Sequence, residues 1–162
     1  MVKAIVTGVG GRMGNRILAL AAETEGVEVV GAVEQQGHAL IGSDVGANLG
    51  AGKFCVIVES DLQKCIDKGD VVIDFTHHEA SMTHIEMAAA QGKSIVVGST
   101  GFSADEMDKI RILAKDVKCV LSPNMSVGVN IMFKVIASVA EILGDEYDVE
   151  IVEAHHRLKK DA

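Results

Sequence analysis

The sequence predicts an α/β fold in which a doubly wound parallel sheet is covered by helices on both faces. Short runs rich in valine and isoleucine alternate with segments whose apolar residues recur every three or four positions. This alternation is typical of strand–helix–strand crossover units, whose parallel strands are buried on both sides. A chain of 162 residues, 48% of them hydrophobic, is also long enough to bury one substantial core and to begin a second domain.

The individual elements follow from the spacing of the apolar residues. Apolar runs predict six strands, at residues 2–7, 27–33, 54–58, 71–75, 94–97 and 118–121. Helical spacings between them predict helices at residues 12–23, 61–68, 79–91 and 103–115. The stretch 37–53 carries five glycines and little periodicity, which predicts a long surface loop. An amphipathic helix over 127–143 and a strand from about 149 to 154 are expected to follow the sheet.

Composition and charge favour a small-molecule ligand over a macromolecular partner. The chain has 15 Lys and Arg against 23 Asp and Glu, a formal net charge of −8, and neither half is dominated by basic residues. Nucleic acids and anionic membranes select proteins with a standing positive field. The chain starts without a basic segment leading into a long apolar stretch, and no run is expected to approach membrane-spanning length. We therefore expect a cytoplasmic protein with neither a nucleic-acid nor a membrane partner.

The cysteines and histidines do not suggest a metal site. Cys55, Cys65 and Cys119 are odd in number and include no CxxC pair, so we expect reduced core residues rather than a disulfide framework or a zinc site. Three histidines stand near the start of the third predicted helix, at His77, His78 and His84. They do not form the i, i+4 pair of zinc-binding HExxH helices, and we expect them to be surface or capping residues.

A glycine-rich turn joins the first predicted strand to the first predicted helix. Residues 8–14 read GVGGRMG, a GxGGxxG-like variant of the dinucleotide-binding fingerprint. Glycines allow the positive φ of a tight turn and the close approach of a pyrophosphate, whose charge meets free N–H groups at the helix start. Glu34 stands 20 residues after Gly14, the approximate spacing of a carboxylate that holds a ribose hydroxyl.

This pattern predicts a Rossmann-type nucleotide-binding domain. The candidate cofactor-binding residues are Gly8, Val9, Gly10, Gly11, Arg12, Met13 and Glu34. The alternative is a glycine-rich turn that binds nothing and a carboxylate that is simply on the surface.

Five segments of the chain resemble a known family in their order and spacing. Four of them are GVGGRMG at 8–14, DFT at 74–76, GSTGF at 98–102 and SPNMSVG at 122–128. The fifth, EAHHRLKKDA at 153–162, is similar to an E-x-H-H-x-x-K-x-D-A signature and is more specific than the glycine turn. Together they resemble the dihydrodipicolinate reductases, and the similarity covers essentially the whole chain.

The resemblance implies a reaction and its catalytic residues. Members of this family use NADH or NADPH to reduce the cyclic dicarboxylic imine derived from 4-hydroxy-tetrahydrodipicolinate to tetrahydrodipicolinate, in lysine and diaminopimelate biosynthesis. The residues that match His155 and Lys159 are implicated in proton transfer, and the one that matches His156 contacts the substrate. Both histidines can line one pocket only if the preceding strand ends near Ala154, because consecutive strand residues point to opposite faces. Taken alone, this basic segment is equally well a solvated tail.

Other cofactor contacts are expected beyond the carboxyl ends of the strands, where open α/β sheets bind ligands. The resemblance places nicotinamide and ribose contacts on residues 74–76 and 98–102, among them Gly98, Ser99 and Thr100. It also places the reactive end of the cofactor against Ser122, Pro123, Asn124 and Met125, which begin a hinge. A turn that requires glycines is the alternative interpretation of residues 98–101. These assignments put a dinucleotide-binding domain at 1–125 and the beginning of an α+β substrate domain at 126–162.

Coenzyme preference can be argued from the residues that follow the carboxylate. Many relatives carry an arginine there, which can meet a 2′-phosphate, but Gln35 supplies no charge. Glu34 itself would repel such a phosphate. We therefore expect NADH to serve at least as well as NADPH, with Arg12 the main group that could still admit NADPH.

The resemblance also bears on what the chain can do. The family continues past the residue matching Ala162 with a P-S-G-T segment and the rest of the substrate domain, through which the full-length protein is expected to form a homotetramer. The present chain is then expected to bind nucleotide without turnover. Two other functions stay open: a Rossmann-type reductase or dehydrogenase of another small amino or keto acid, and a nucleotide-binding module that catalyses nothing.

Overall fold

The computed structural model describes residues 1–50, 52–154 and 157, and the chain divides into two compact units. The first unit is Met1–Pro123 and the second is Asn124–Ala162. The first contains a six-stranded parallel sheet with helices packed against it. The second is built around one long helix.

The sheet of the first unit has the strand order β3-β2-β1-β4-β5-β6. Its strands are β1 (Val2–Thr7), β2 (Val27–Val33), β3 (Val58–Glu59), β4 (Val71–Asp74), β5 (Ser94–Val97) and β6 (Cys119–Leu121). The accompanying helices are α1 (Arg12–Glu23), α2 (Val45–Leu49), α3 (His78–Ala90) and α4 (Ala104–Leu113). Since every pairing is parallel, the predicted doubly wound α/β fold is confirmed. The order reverses between β1 and β4, the point at which such sheets bind ligands.

The hydrophobic core lies on both faces of this sheet. Ile5 and Val6 are consecutive residues of β1, and both are fully buried. Because consecutive side chains of a strand point to opposite faces, Ile5 packs in one cluster with Ile85 of α3, and Val6 packs in another with Leu18 of α1. A strand that is apolar at both alternating positions is therefore the sequence signature of this central location.

The region between β2 and β3 differs from the prediction. Only Val58–Glu59 is strand where 54–58 was expected, and the predicted loop 37–53 contains the short helix α2. Asp44 accounts for both differences. Its carboxylate accepts hydrogen bonds from the backbone N–H groups of Gly46 (2.8 Å), Phe54 (2.9 Å) and Cys55 (2.7 Å), which caps the helix and removes two donors from a β ladder.

The helix predicted at 61–68 is instead a pair of 3₁₀ turns, Leu62–Lys64 and Ile66–Lys68. They meet at Cys65, whose backbone (φ −136°, ψ −7°) is not helical and whose side chain is buried. Packing of this side chain against the sheet therefore overrides the helical spacing. Cys55, by contrast, is exposed, so the expectation that all three cysteines lie in the core was wrong. The other predicted elements either match the structure or differ at their ends by one or two residues.

The second unit contains α5 (Val127–Leu143), as predicted, and a 3₁₀ turn at Gly144–Glu146. None of the residues of α5 is buried. With the turn it forms a 20-residue segment that is long and apolar enough to cross a membrane by length and composition alone, which corrects the expectation that no run approaches that length. The strand predicted at 149–154 is absent, because a strand requires a hydrogen-bonding neighbour and the described part of this unit offers no other strand.

The helix start above β1 allows a direct test of the packing. A Cβ at Gly14 would overlap the carbonyl group of Gly8. Although alanine is intrinsically the better helix former, we expect Gly14→Ala to destabilise the first unit, by about 1–3 kcal/mol for an overpacked site. Thermal unfolding followed by circular dichroism measures this effect.

Gly128→Ala is the matched control, since its Cβ would meet no atom closer than 3.9 Å within α5. We expect this variant to keep the wild-type melting temperature or to raise it. A Gly14→Ala protein as stable as the wild type would contradict the close approach of α1 to the end of β1.

Candidate functional site

A cleft of about 710 Å³ opens at the carboxyl edge of the sheet, within the first unit. Its walls come from the residues that follow β1, β2, β3 and β4, among them Gly8, Glu34, Leu62, Thr76 and His84. The cleft thus lies where the strand order reverses, and the predicted glycine turn forms one of its walls.

The glycine turn depends on glycine at two positions. Gly8 has a φ of +66°, which favours glycine, and its missing side chain leaves room for Thr76. Gly14 brings α1 directly against Gly8. Helix α1 therefore begins at the mouth of the cleft, and no side chain of the described residues caps it at Gly11.

Some N–H groups of the turn donate hydrogen bonds within the protein, and others are left for a ligand. Those of Gly8 and Gly11 donate to the carbonyl oxygens of Val33 (2.8 Å) and Gly8 (2.9 Å). The first-turn N–H groups of Arg12, Met13 and Gly14 have no acceptor four residues earlier within the helix. A helix start of this kind attracts an anion, both through these donors and through the helix dipole.

Glu34 is held directly against the glycine turn. Its Oε2 atom accepts a hydrogen bond from the N–H of Gly10 at 2.6 Å, and its Oε1 accepts one from the N–H of Gln35 at 2.8 Å. Its own N–H donates to Glu59 at the end of β3. The carboxylate predicted from its spacing thus lies beside the turn, where it can accept a hydrogen bond from a sugar hydroxyl.

The remaining predicted residues of the turn differ in accessibility. Val9 is buried in the core with Leu18, so only its main chain could meet a ligand. Arg12 and Met13 are exposed at the start of α1.

A buried polar network lies beneath the cleft and was missed by the sequence analysis. Asp74, fully buried at the end of β4, accepts hydrogen bonds at Oδ1 from the N–H of Thr76 (3.0 Å) and from the hydroxyls of Thr76 (2.7 Å) and Ser81 (2.9 Å). Its Oδ2 accepts a hydrogen bond from Nδ1 of His84 on α3. The expectation that His84 is a surface or capping residue was therefore wrong: its side chain is only 14% exposed.

The charges of this network stabilise one another. Burial on its own raises the pKa of Asp74, but the hydrogen bond and the charge of His84, together with the hydroxyls of Thr76 and Ser81, outweigh burial and hold the pKa below its usual value. Asp74 is therefore ionised near neutral pH, and it fixes the residues that follow β4 to helix α3.

The other two histidines lie near the start of α3. His77 is exposed and stands at the N-cap position without making a side-chain cap. His78 lies 3.2 Å from the carboxylate of Glu106 on α4. Among the described residues, no three His, Cys, Asp or Glu side chains come together in a way that could hold a metal ion.

The segment after β5 is packed against the same network. A side chain at Gly98 would overlap the ring of Phe75, so this position has no room for one. The hydroxyl of Ser99 lies 2.7 Å from that of Ser81 and 3.3 Å from the Asp74 carboxylate, and it points into the protein. Thr100 is exposed. Ser99 could thus meet a ligand only through its main chain.

The four candidate residues at 122–125 fall in both units. The N–H of Ser122 donates to Val97 at 3.1 Å, which fixes the end of β6, and Pro123 closes the first unit. In the second unit, Asn124 accepts a hydrogen bond from the N–H of Ser126 at 2.9 Å, and Met125 is exposed. The three candidate residues of the substrate site, His155, His156 and Lys159, lie outside the described residues.

Comparison with known proteins identifies a family over nearly all of the chain. A family model described as "Dihydrodipicolinate reductase, N-terminus" matches residues 2–125, and one described as "Dihydrodipicolinate reductase, C-terminus" matches residues 128–162.

Curated relatives carry a corresponding name. The chain is 62% identical over 162 residues to "4-hydroxy-tetrahydrodipicolinate reductase" of Syntrophus aciditrophicus (strain SB) and 52% identical to that of Geobacter sp. (strain M21). Both matches include the whole of this chain but only 60% and 61% of the relatives. The chain therefore spans about three fifths of their length.

A solved structure supports the fold. Dipicolinate-bound dihydrodipicolinate reductase from Paenisporosarcina sp. TG-14 superposes with a TM-score of 0.71 at 22% identity, over 86% of this chain and 53% of that one.

The pair formed by Asp74 and His84 allows a stability test. We expect His84→Ala to lower the free energy of unfolding by about 1.5–3 kcal/mol at neutral pH, the range for a hydrogen bond to a charged group. Because the folded-state pKa of Asp74 is below its unfolded value, the network stabilises fully above about pH 4 and less as the pH falls through the folded pKa. The difference between the wild type and the variant should therefore shrink below pH 4 in urea unfolding measurements.

The control is His77→Ala. His77 lies 3.9 Å from Glu79, but the two side chains are 69% and 80% exposed, so the loss of this ion pair should not change the unfolding midpoint. Equal effects of the two substitutions would show that the network beneath the cleft does not stabilise the fold.

Proposed function

The chain belongs to the dihydrodipicolinate reductase family, and on that basis we propose that it is the nucleotide-binding part, with the start of the substrate part, of a 4-hydroxy-tetrahydrodipicolinate reductase. The full protein would transfer a hydride from NADH or NADPH to the cyclic dicarboxylic imine. It would act in the cytoplasm, in lysine and diaminopimelate biosynthesis.

The observation that carries this proposal is the arrangement of the glycine turn, Glu34 and the start of α1 around one cleft. Because Gly14 has no side chain, α1 can begin against the carbonyl group of Gly8, and Glu34 accepts a hydrogen bond from the N–H of Gly10. A dinucleotide fits this arrangement: its pyrophosphate would meet the first-turn N–H groups of α1, and an adenosine ribose hydroxyl would meet Glu34. The bound nicotinamide supplies the hydride.

The rest of the cofactor site is proposed from the strand-end segments. The main chain at 98–100 and residues 122–123 would orient the nicotinamide end, since these segments follow β5 and β6 at the same edge of the sheet as the cleft. The family resemblance extends this role to Asn124 and Met125. Asp74 accepts hydrogen bonds from Thr76 and from Ser81 of α3, and Ser81 is in turn hydrogen-bonded to Ser99. This network would hold the main chain at 98–100 rigid.

The substrate side is proposed from the basic segment. His155 and Lys159 would supply the proton, and His156 would contact a substrate carboxylate. An imine nitrogen gains electron density as hydride reaches the adjacent carbon, so a proton donor at that nitrogen lowers the barrier. Histidine is suited to this role because it exchanges protons near neutral pH.

Helix α5 is proposed to pack inside the complete protein. Its large apolar residues, such as Ile131, Phe133 and Val139, are about half exposed or more. In the curated relatives the polypeptide is longer than the matched segment. We infer that this additional polypeptide covers the apolar surface of α5, and that the full-length protein forms a homotetramer through the same domain, without a nucleic-acid or membrane partner.

Two rival functions make different predictions. Another small-substrate reductase would need the glycine turn and Glu34 but not the pattern at 153–162, whereas a binding module would show no turnover at any length. The assay that separates them uses full-length protein and the product of dihydrodipicolinate synthase, with NADH oxidation followed at 340 nm.

For the 162-residue chain itself, we expect NADH binding without turnover. The residues proposed to hold the pyrophosphate and the adenosine ribose lie in the first unit, whereas catalysis requires a substrate held against the nicotinamide. Such positioning accounts for roughly 7–11 kcal/mol of barrier lowering. Titration calorimetry with NADH, together with the reductase assay on the same sample, tests both halves. Robust turnover by this chain would show that the substrate site has been misplaced.

In the full-length protein, we expect His155→Ala and Lys159→Ala to lower kcat by about 10²- to 10⁴-fold, the usual contribution of a general acid or base. NADH affinity should change by no more than a few fold, because neither residue belongs to the glycine turn. Steady-state kinetics and nucleotide titration measure the two effects. Arg157→Ala is the control within the same basic segment, and a variant of His155 or Lys159 that kept near wild-type kcat would contradict its role.

A further inference from the structure

The imidazole of His38 lies over the glycine turn, beside Glu34. At the position that a Cβ on Gly10 would occupy, the nearest atoms are Cε1 of His38 at 2.6 Å, Nε2 of His38 at 2.9 Å and Oε2 of Glu34 at 3.0 Å. The Nε2 atom and the carboxylate oxygen are therefore within about 6 Å of each other. The sequence analysis gave His38 no role.

Backbone hydrogen bonds hold the segment that carries His38 in place. The N–H of His38 donates to the carbonyl of Gln35 at 3.0 Å, and the N–H of Ile41 donates to the carbonyl of His38 at 3.1 Å. Gly42 then donates to Val58 in β3 at 2.9 Å. Two consecutive turns, attached to an edge strand, thus determine where the imidazole lies.

A further hydrogen bond determines which ring nitrogen carries the proton. The N–H of Leu40 donates to Nδ1 of His38 at 3.3 Å, so Nδ1 must keep its lone pair. In the neutral ring the proton is then on Nε2, the nitrogen nearer to Gly10. His38 consequently offers an N–H donor at the glycine turn without needing a positive charge.

We propose that His38 is a specificity-determining residue for the coenzyme, whose Nε2–H donates a hydrogen bond to the 2′-phosphate of NADPH. This inference rests on the proposed nucleotide site. If Glu34 holds the ribose 2′-hydroxyl of NADH, a phosphate on that hydroxyl extends from a point beside the carboxylate, where Nε2 lies within about 6 Å. NADH has no group there, so the donor distinguishes the two coenzymes.

The balance of charges explains why such a donor would matter. Glu34 repels a phosphate dianion, and Gln35 supplies no cation after it. His38 is exposed, so its hydrogen bond competes with water and its contribution is modest. The chain would then still prefer NADH or use both coenzymes, and His38 would limit how strongly NADPH is disfavoured.

The test compares NADH and NADPH binding to the 162-residue chain by titration calorimetry at pH 7.5. For His38→Asn, we expect the Kd for NADPH to rise roughly three- to tenfold, as for loss of one exposed hydrogen bond, while the Kd for NADH stays within twofold. His38→Gln should retain the wild-type ratio, because its amide nitrogen can reach the position of Nε2 whereas that of asparagine cannot. Gln36→Ala is the control, as an exposed side chain in the same segment.

The ratio of the two dissociation constants is the decisive quantity, because a folding defect would weaken both coenzymes alike. Equal weakening of NADH and NADPH by His38→Asn would mean that the ring contacts the pyrophosphate or supports the turn, and it would overturn the proposal. Tighter binding of both would mean that the ring obstructs the turn, with the same consequence. If the wild-type chain bound neither nucleotide, the proposed site itself would fail, and the role of His38 with it.

Discussion

The close packing of α1 on the end of β1 is the constraint on which the rest of the first unit depends. β1 pairs with β2 on one side and with β4 on the other, so its position is fixed from both directions. Helix α1 can begin directly above its end only because Gly14 carries no side chain towards Gly8. The same contact places the first-turn N–H groups at the cleft. The contact that closes the core therefore also forms the helix start that could bind an anion.

Carboxylates hold several irregular segments of the first unit in place. Glu34 accepts backbone hydrogen bonds at the glycine turn, and Asp44 accepts hydrogen bonds from three backbone N–H groups. Asp74 accepts hydrogen bonds from side-chain hydroxyls and from an imidazole. An ionised carboxylate accepts several hydrogen bonds at once, so each of these residues can hold a loop that lacks a regular ladder. Three of the 23 acidic residues of the chain thus have a structural role.

The sequence predicted the features that depend on local spacing. Alternating apolar residues located most of the sheet, and the interval between Gly14 and Glu34 placed the carboxylate beside the turn, because strand and helix lengths in a crossover unit vary little. It did not predict the effect of Asp44, whose hydrogen-bond partners at 54 and 55 are ten and eleven residues away. The spacing of apolar residues carries no information about a side chain that accepts hydrogen bonds from N–H groups that a strand would otherwise use for pairing.

His84 could have been recognised from a different signal. Ser81 and His84 stand at i and i+3 on α3, on one face of the helix, directly after a strand that ends with Asp74. A carboxylate at the end of a buried strand needs donors, and the next helix is where a parallel sheet provides them. The spacing of His84 from the other histidines did not indicate its role, because its partner is the carboxylate of Asp74 rather than a metal ion.

The second unit poses a different physical problem, because its helix has no buried residue and is rich in β-branched side chains. Valine and isoleucine are moderate helix formers, so a helix of this composition draws its stability from packing rather than from propensity.

Asn130, Lys134 and Ser138 recur every four residues and form one polar stripe along α5. In a membrane this stripe would place Lys134 in hydrocarbon, at a cost of about 2.5–3.5 kcal/mol for a central lysine. A protein surface can pack against the apolar side of α5 and still leave the polar stripe in contact with polar groups or water. This favours the longer polypeptide of the relatives as the partner surface. The proposed division of function follows. The first unit has its own core on both faces of the sheet and carries the cleft proposed to bind nucleotide, whereas the segment proposed to carry the proton donors follows a helix that needs a partner surface.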